Sequence, residues 1–273
     1  MEVRNMGFGV DTTDYLNQIN WTDFCNWKGQ YPGFAGRYFG GGYTWSGTEF
    51  TDAKASTGGV LSVIAPIRAS TTGQSVSGSQ GHANGVNGAT DTCARITNAV
   101  NAGQLVLPAE SVIVYLDNEP IGSNPNVLTS DYWAGWANTV NNFPFESRLP
   151  FVPGLYCTFA TDSSGKWVPD SAMQAALNGA YKDYPSEDTV CAGTWTFQPH
   201  TPLADYCPAA SVPDWSLIGD FKQGGSITVT TLAWQYVSPV ACSPSYPNWA
   251  GGQPLDMDGS DSTGAETNML RIS

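Results

Sequence analysis

The stretch Val112-Ile113-Val114-Tyr115-Leu116-Asp117-Asn118-Glu119-Pro120 narrows the possible folds more than any other. Five apolar or aromatic residues run into two acids spaced i, i+2, and a proline closes the run. A continuous apolar run of this length predicts a strand buried on both faces, as parallel sheets contain. Side chains alternate across a strand, so Asp117 and Glu119 are expected on one side, roughly 6–7 Å apart along the chain. Two carboxylates at the C-terminal end of a buried parallel strand are the equipment of acid/base chemistry.

Seven further strands are legible. They are Gly7–Asp11, Gly33–Phe39, Gly59–Ile67, Phe151–Cys157, Val190–Trp195, Ile227–Tyr236 and Pro254–Asp258. Helices are predicted after Asn20 or Thr22 as a cap, over Thr48–Thr57, over Ala89–Ala102, over Leu128–Val140 and over Ser171–Tyr181. Ser70–Gly81 reads as a loop, and 198–223 as a Pro- and Asp-rich insertion. Eight short apolar strands, most alternating with helices, predict an α/β fold, a single (β/α)8 TIM-type barrel. No linker or internal repeat divides residues 1–273, so one domain is expected. Barrels of this type commonly take about 250 residues.

Composition removes several classes of function. The net charge is −13 with only 11 Lys and Arg, so nucleic acid would be repelled and an anionic membrane is no partner. No apolar stretch is long enough to span a membrane. Only 13% of residues are charged, below the usual ~25%, while Gly, Ser, Thr, Asn and aromatics abound. This balance fits a monomer that meets a neutral or zwitterionic glycan outside the cell or in its envelope. The N-terminus has no apolar signal-like segment, so either a signal has been removed or export takes another route.

Six cysteines permit up to three disulfides in any of fifteen pairings, and Cys207 with Cys242 is the expected bridge; the alternative is six free thiols. With no CxxC and only His82 and His200, a Cys/His zinc site is not expected. The DMDGSD run from Asp256 lacks the full calcium loop ending in Glu, and no metal or organic cofactor is implied. Ser163-Ser164-Gly165-Lys166 matches SxxK without its partner motifs. Asn20-Trp21-Thr22 is a glycosylation acceptor pattern, informative only for a secreted eukaryotic protein.

In a (β/α)8 barrel the active site lies at the C-terminal ends of the strands. Acids sit there at Asp11 on the first strand, Asp117 and Glu119 on the fourth, and Asp256 or Asp258 on the eighth. Arg37, Tyr38, Tyr156, Trp195, Trp234, Gln235 and Tyr236 also gather at strand ends and are candidate substrate contacts. Acids ringed by aromatic platforms suit a sugar-cleaving cleft, where one carboxyl protonates the leaving oxygen and another assists at the anomeric carbon. Each has a plainer alternative. Asp11 could cap a helix, Asp256 and Asp258 could belong to a polar terminal loop, and Trp234 and Tyr236 could be core. Asp117 and Glu119 are harder to dismiss, because two buried acids on one face are costly.

Gly9-Val10-Asp11, Asn20-Trp21, Asp117-Asn118-Glu119, Trp234-Gln235-Tyr236 and Leu255-Asp256-Met257-Asp258 occur in the order seen in family 25 glycoside hydrolases. The chain resembles these lysozymes, which cut peptidoglycan, over nearly its whole length. The second strand, GRYFGGG, departs from the family's usual run and is more similar to the uncharacterised bacterial glycoside hydrolase-like barrels related to them. The resemblance implies Glu119 as general acid and Asp117 as assisting carboxylate, with Asp11 and Asp256 completing an acidic floor. It also implies an N-acetylated cell-wall glycan, above all peptidoglycan, as substrate. A catalytically silent glycan-binding barrel and a hydrolase of another polysaccharide are the alternatives.

Overall fold

The computed structural model describes residues 7–40, 45–119, 127–146, 148, 150–197, 217–237, 255–260 and 266–273, with backbone alone at 197, 236, 237, 256, 257, 259 and 266. Along the first half run β1 (Phe8–Thr12), α1 (Trp21–Lys28), β2 (Phe34–Tyr38), α2 (Glu49–Ser56), β3 (Val63–Arg68), α3 (Gly78–Asn101) and β4 (Leu105–Val106). Then follow β5 (Val112–Asn118), α4 (Ser130–Asn141), β6 (Phe151–Thr161), β7 (Trp167–Pro169), α5 (Ser171–Asp183) and β8 (Gly193–Phe197). The last are β9 (Phe221–Gln223), β10 (Ile227–Val229), β11 (Thr231–Val237), β12 (Asp256–Ser260) and β13 (Leu270–Ile272).

Strands pair in the order β1-β2-β3-β5-β6-β8-β11-β12, and β12 returns to β1, so these eight described strands close into a barrel. This is the α/β barrel that the strand pattern predicts, with one difference. The eighth strand, β12, lies antiparallel to both β1 and β11. Periodicity reports how a strand is buried but not its direction, so this reversal was not readable from the sequence. The seam between β3 and β5 is short, with Ile67 opposite Tyr115 and Arg68 opposite Leu116. Beside it the C-terminal strand β13 pairs antiparallel with β3 and β4.

Strand alternation sorts the core into two layers. Phe34, Ala65, Ile67, Tyr115, Tyr156 and Trp195 cluster inside the barrel. Val10, Ala35, Ile64, Val114, Leu116 and Leu155 join the apolar faces of the surrounding helices. The interior is filled around Trp195, whose ring meets Tyr115 and Tyr156 edge-on at 5.4 and 5.6 Å between centroids. Gly36 makes room for it: a Cβ there would lie 2.6 Å from Trp195 Cη2 and 2.8 Å from Asp11 Cβ.

Three elements differ from expectation. Helix α3 begins at Gly78, eleven residues before the predicted Ala89, and absorbs the end of the supposed loop. Its glycines oppose helix formation in isolation, but Gly85 faces α4 so closely that a side chain there would strike the Tyr132 carbonyl. Close helix packing overrides the local propensity. In the second case, Ile227–Val229 is no part of the seventh barrel strand but forms a separate hairpin with Phe221–Gln223, and the barrel strand starts at Thr231. The 221–223 end of the supposed insertion is therefore strand, while 198–216 lies outside the described residues.

The third difference is the cysteines. Cys93, Cys157 and Cys191 are buried free thiols, so disulfides do not staple this part of the chain. Burial raises all three thiols, that of Cys191 to about 12, which keeps them protonated and inert. The expected partners Cys207 and Cys242 lie outside the described residues. No helix among the described residues is long and apolar enough to cross a membrane.

Candidate active site

Strand β5 carries Asp117 to the C-terminal end of the barrel, with Glu119 just beyond the strand. Both carboxyls turn toward the barrel axis, where the Tyr38 hydroxyl of β2 bonds Asp117 and the Tyr156 hydroxyl of β6 bonds Glu119. The Ser70 backbone N–H donates to Asp117 Oδ2 at 3.2 Å, while Oδ1 has no hydrogen-bond partner among the described residues. Ser70 Oγ also donates to the Glu119 carbonyl at 3.3 Å.

Their surroundings set their protonation. Burial, and then the neighbouring Glu119 charge, hold the Asp117 carboxyl well above the usual carboxylate range, against the hydrogen bonds from Ser70 and Tyr38. Burial raises Glu119 to about 7, while its bond with Tyr156 pulls the other way. A carboxylic acid that keeps its proton near neutral pH is what a general acid requires.

A second acid pair lies nearby. Asp11 on β1 and Asp258 on β12 are both buried, and Trp195 Nε1 donates to Asp258 Oδ1 at 3.1 Å. Burial first, then the Asp11 charge, raise Asp258 well above its ordinary value, and a hydrogen bond with Asp11 favours the protonated form further. Asp256 pairs with Asp11 across the β1–β12 ladder, but its side chain lies outside the described residues. The acid that meets Asp11 side chain to side chain is Asp258. Among the described residues, no group of three His, Cys, Asp or Glu side chains could hold a metal ion.

The candidate substrate contacts divide. Tyr38, Tyr156 and Gln235 converge on the acids, and Tyr156 Oη donates to Gln235 Oε1. Trp195 is 0% exposed, with its indole N–H committed to Asp258, so it is the interior filling beneath the acids and not an open platform. Trp234 belongs to the outer layer, packed edge-on against Trp167 at 5.1 Å. Arg37 also faces outward, where its Nε pairs with Glu49 of α2 at 2.7 Å and its guanidinium lies over Tyr15. Trp234 and Arg37 thus lie in the outer layer, apart from the acids. One strand residue alternates with the next, and both take the opposite side from the acids. The Tyr236 side chain lies outside the described residues.

Sequence reasoning missed Gln74. It sits in the short 3-10 turn Thr72–Ser75, fully buried. Its Nε2 donates to the Asp117 carbonyl at 2.8 Å, and its Oε1 accepts from Asn118 Nδ2. Its own carbonyl accepts from the Thr129 N–H at 3.0 Å, at the start of α4. A glutamine in a Gly/Ser/Thr-rich stretch gives no sequence signal of such a role.

No family model matches the sequence, and no curated protein does. Solved structures do resemble the fold. An uncharacterized B. stearothermophilus protein matches at 17% identity with a TM-score of 0.55, over 96% of this chain and 99% of the other. The catalytic domain of an endolysin from a bacteriophage of Listeria monocytogenes matches at 12% identity with a TM-score of 0.50, over 96% of each chain. A family 25 glycosyl hydrolase from Bacillus anthracis is more distant, at 12% identity and a TM-score of 0.45, over 98% of this chain and 94% of that one. These are likenesses of fold.

Proposed function

We propose that this barrel is a glycoside hydrolase of an N-acetylated cell-wall glycan, with peptidoglycan as the first choice of substrate. The observation that carries the reading is the pairing of Glu119, raised to about 7, with the buried Asp117 on the same side of the strand end. Glu119 gives its proton to the leaving glycosidic oxygen. Asp117 assists at the anomeric carbon, directly or by orienting the substrate's N-acetyl group. Asp11 supplies further negative charge below them, with Asp258 as its buried partner and Asp256 on the neighbouring strand position. The likeness to an endolysin catalytic domain supports the same direction, as does a net charge of −13 that disfavours polyanionic substrates. Action on such a glycan implies a place outside the cell or in its envelope. No cofactor is required by this chemistry.

A catalytically silent glycan binder is the second reading, favoured by the commitment of Arg37 to Glu49 in the second strand. Release of reducing sugar from purified peptidoglycan separates the two. The wild type should release it and Glu119→Gln should fall by about 10²-fold or more, the share general acid catalysis commonly supplies. Equal, background-level release by both proteins would end the muramidase reading. Activity on chitin-like or capsular polysaccharide instead would keep the hydrolase and change the substrate.

A further inference from the structure

We propose that Ser70 is a positioning residue that holds Asp117 and Glu119 in place at the open end of strand β5. The ladders that align β5 stop short of the second acid. On the β3 side the last described pair is Arg68 with Leu116, and on the β6 side it is Asn118 with Cys157. Pro120 follows at once and has no N–H with which to extend either ladder. In the described ladders, Asp117 therefore has a paired strand on the β6 side only, and Glu119 lies beyond the pairing altogether.

Ser70 takes the place of the missing β3 rungs with two bonds. Its backbone N–H donates to Asp117 Oδ2 at 3.2 Å, and its hydroxyl donates to the Glu119 carbonyl at 3.3 Å. One residue thus holds the side chain of one acid and the backbone of the other. Ser70 is itself held on both sides. Ala69 before it is buried in the barrel interior, and the 3-10 turn Thr72–Ser75 after it carries Gln74, which donates to the Asp117 carbonyl. Both Ser70 bonds are longer than the commonest hydrogen bonds, so each is modest. Loss of the hydroxyl is therefore expected to loosen the strand end and to leave the barrel standing. Misplacing reacting groups by about 1 Å can cost on the order of 10²-fold in rate, and a loosened strand end should cost about tenfold.

The role in turnover rests on the glycosidase reading; the tether itself does not. Glu119 must reach the leaving oxygen while Asp117 serves the anomeric carbon, so their separation enters kcat more than substrate binding. Ser70 is half-buried at the rim of the site, which makes substrate contact the competing role. The two roles differ in which kinetic constant they move.

The test is steady-state release of reducing sugar from purified peptidoglycan, with amide hydrogen exchange followed by NMR on the same intact proteins. Ser70→Ala keeps the backbone N–H and loses the hydroxyl. Its kcat should fall about tenfold while KM stays within about twofold of the wild type. Ser70→Thr keeps a hydroxyl and should recover most of the loss. In Ser70→Ala the Asn118 and Glu119 amides should exchange several-fold faster, while the amide of Val114 in the middle of β5 exchanges as before. An unchanged kcat overturns the proposal, as does a raised KM with kcat kept, which would make Ser70 a substrate contact. Equal acceleration at Val114 would mean general loosening and overturns it as well. If Ser70→Ala does not fold, Ser70→Cys takes its place: a thiol is only a weak donor, so the same fall in kcat is expected and an unchanged kcat overturns the proposal. A wild type that releases no sugar from any glycan sinks the glycosidase reading. Exchange then decides alone, and unchanged rates at Asn118 and Glu119 overturn the tether.

Discussion

Gln74 holds Asn118 and the Asp117 backbone in one grip, accepting from Asn118 Nδ2 while donating to the Asp117 carbonyl at 2.8 Å. The residue between the two acids is thereby fixed to a turn that also anchors α4 through Thr129. The geometry of the acid pair depends on a side chain 43 residues upstream of Asp117.

Replacing Gln74 by Ala leaves the Asn118 amide and the Asp117 carbonyl buried without partners. Each unmet group costs about 1–3 kcal/mol, so Gln74→Ala is expected to lose roughly 2–5 kcal/mol of stability. Denaturant unfolding measures this. Under conditions where the variant stays folded, its glycan turnover should fall more than its apparent substrate affinity, because the grip acts on the acids. A stability loss below about 1 kcal/mol would contradict the buried network.

Arg37 and Glu49 supply a different kind of test. Both side chains are 0% exposed, and Glu49 also accepts from the backbone N–H groups of Leu16 and Ser46. Removing one partner strands the other charge in the interior, so Arg37→Met or Glu49→Gln alone should cost about 3–5 kcal/mol. The double variant should recover part of that loss, read as a positive coupling in a double-mutant cycle. Arg37→Met protein that folds should keep its affinity for glycan fragments. A selective loss of binding would return Arg37 to the substrate side.

Gly135 tests the packing that hid α3 from the sequence. Ala in place of Gly favours a helix by about 1 kcal/mol. A Cβ at Gly135, however, would be driven into the His82 carbonyl oxygen, and backbone on both helices must move to admit it. Overpacking of this kind costs about 1–3 kcal/mol or more, so Gly135→Ala should lower Tm despite its better propensity. Gly78→Ala is no control, since that glycine has a φ of +67°. Ala83→Gly, at an exposed position of α3, should instead lose only the propensity difference.

The same packing explains how far the sequence could be read. The parallel barrel strands were visible because buried parallel strands leave continuous apolar runs. The direction of β12 and the start of α3 were not, because both are decided by tertiary neighbours. At the site, the i, i+2 spacing located Asp117 and Glu119 on one face. It could not separate Trp195, inside the barrel, from Trp234, one residue off in strand register and outside it, since both are aromatic residues near strand ends. Gln74 was invisible because its partners are backbone and amide groups that any sequence contains.

The raised carboxyls impose a pH dependence whose sign is fixed. Glu119 has an ordinary value of 4.5 in the unfolded chain and about 7 when folded, so between those values the folded protein binds more protons. Stability is therefore fully present below about pH 4.5 and is lost as pH rises toward 7. Asp258 adds to the loss in the same direction, beginning from its lower ordinary value of 3.8. Glu119→Gln removes one of these ionisations. It should unfold at higher denaturant than the wild type at pH 7.5, by about 1–3 kcal/mol, and by little or nothing at pH 4.5. Asp258→Asn should behave likewise, because its amide can still accept from Trp195 and can donate to Asp11. Wild-type and variant stabilities that run parallel from pH 4.5 to 7.5 would mean that these carboxyls ionise as freely in the fold as in the unfolded chain.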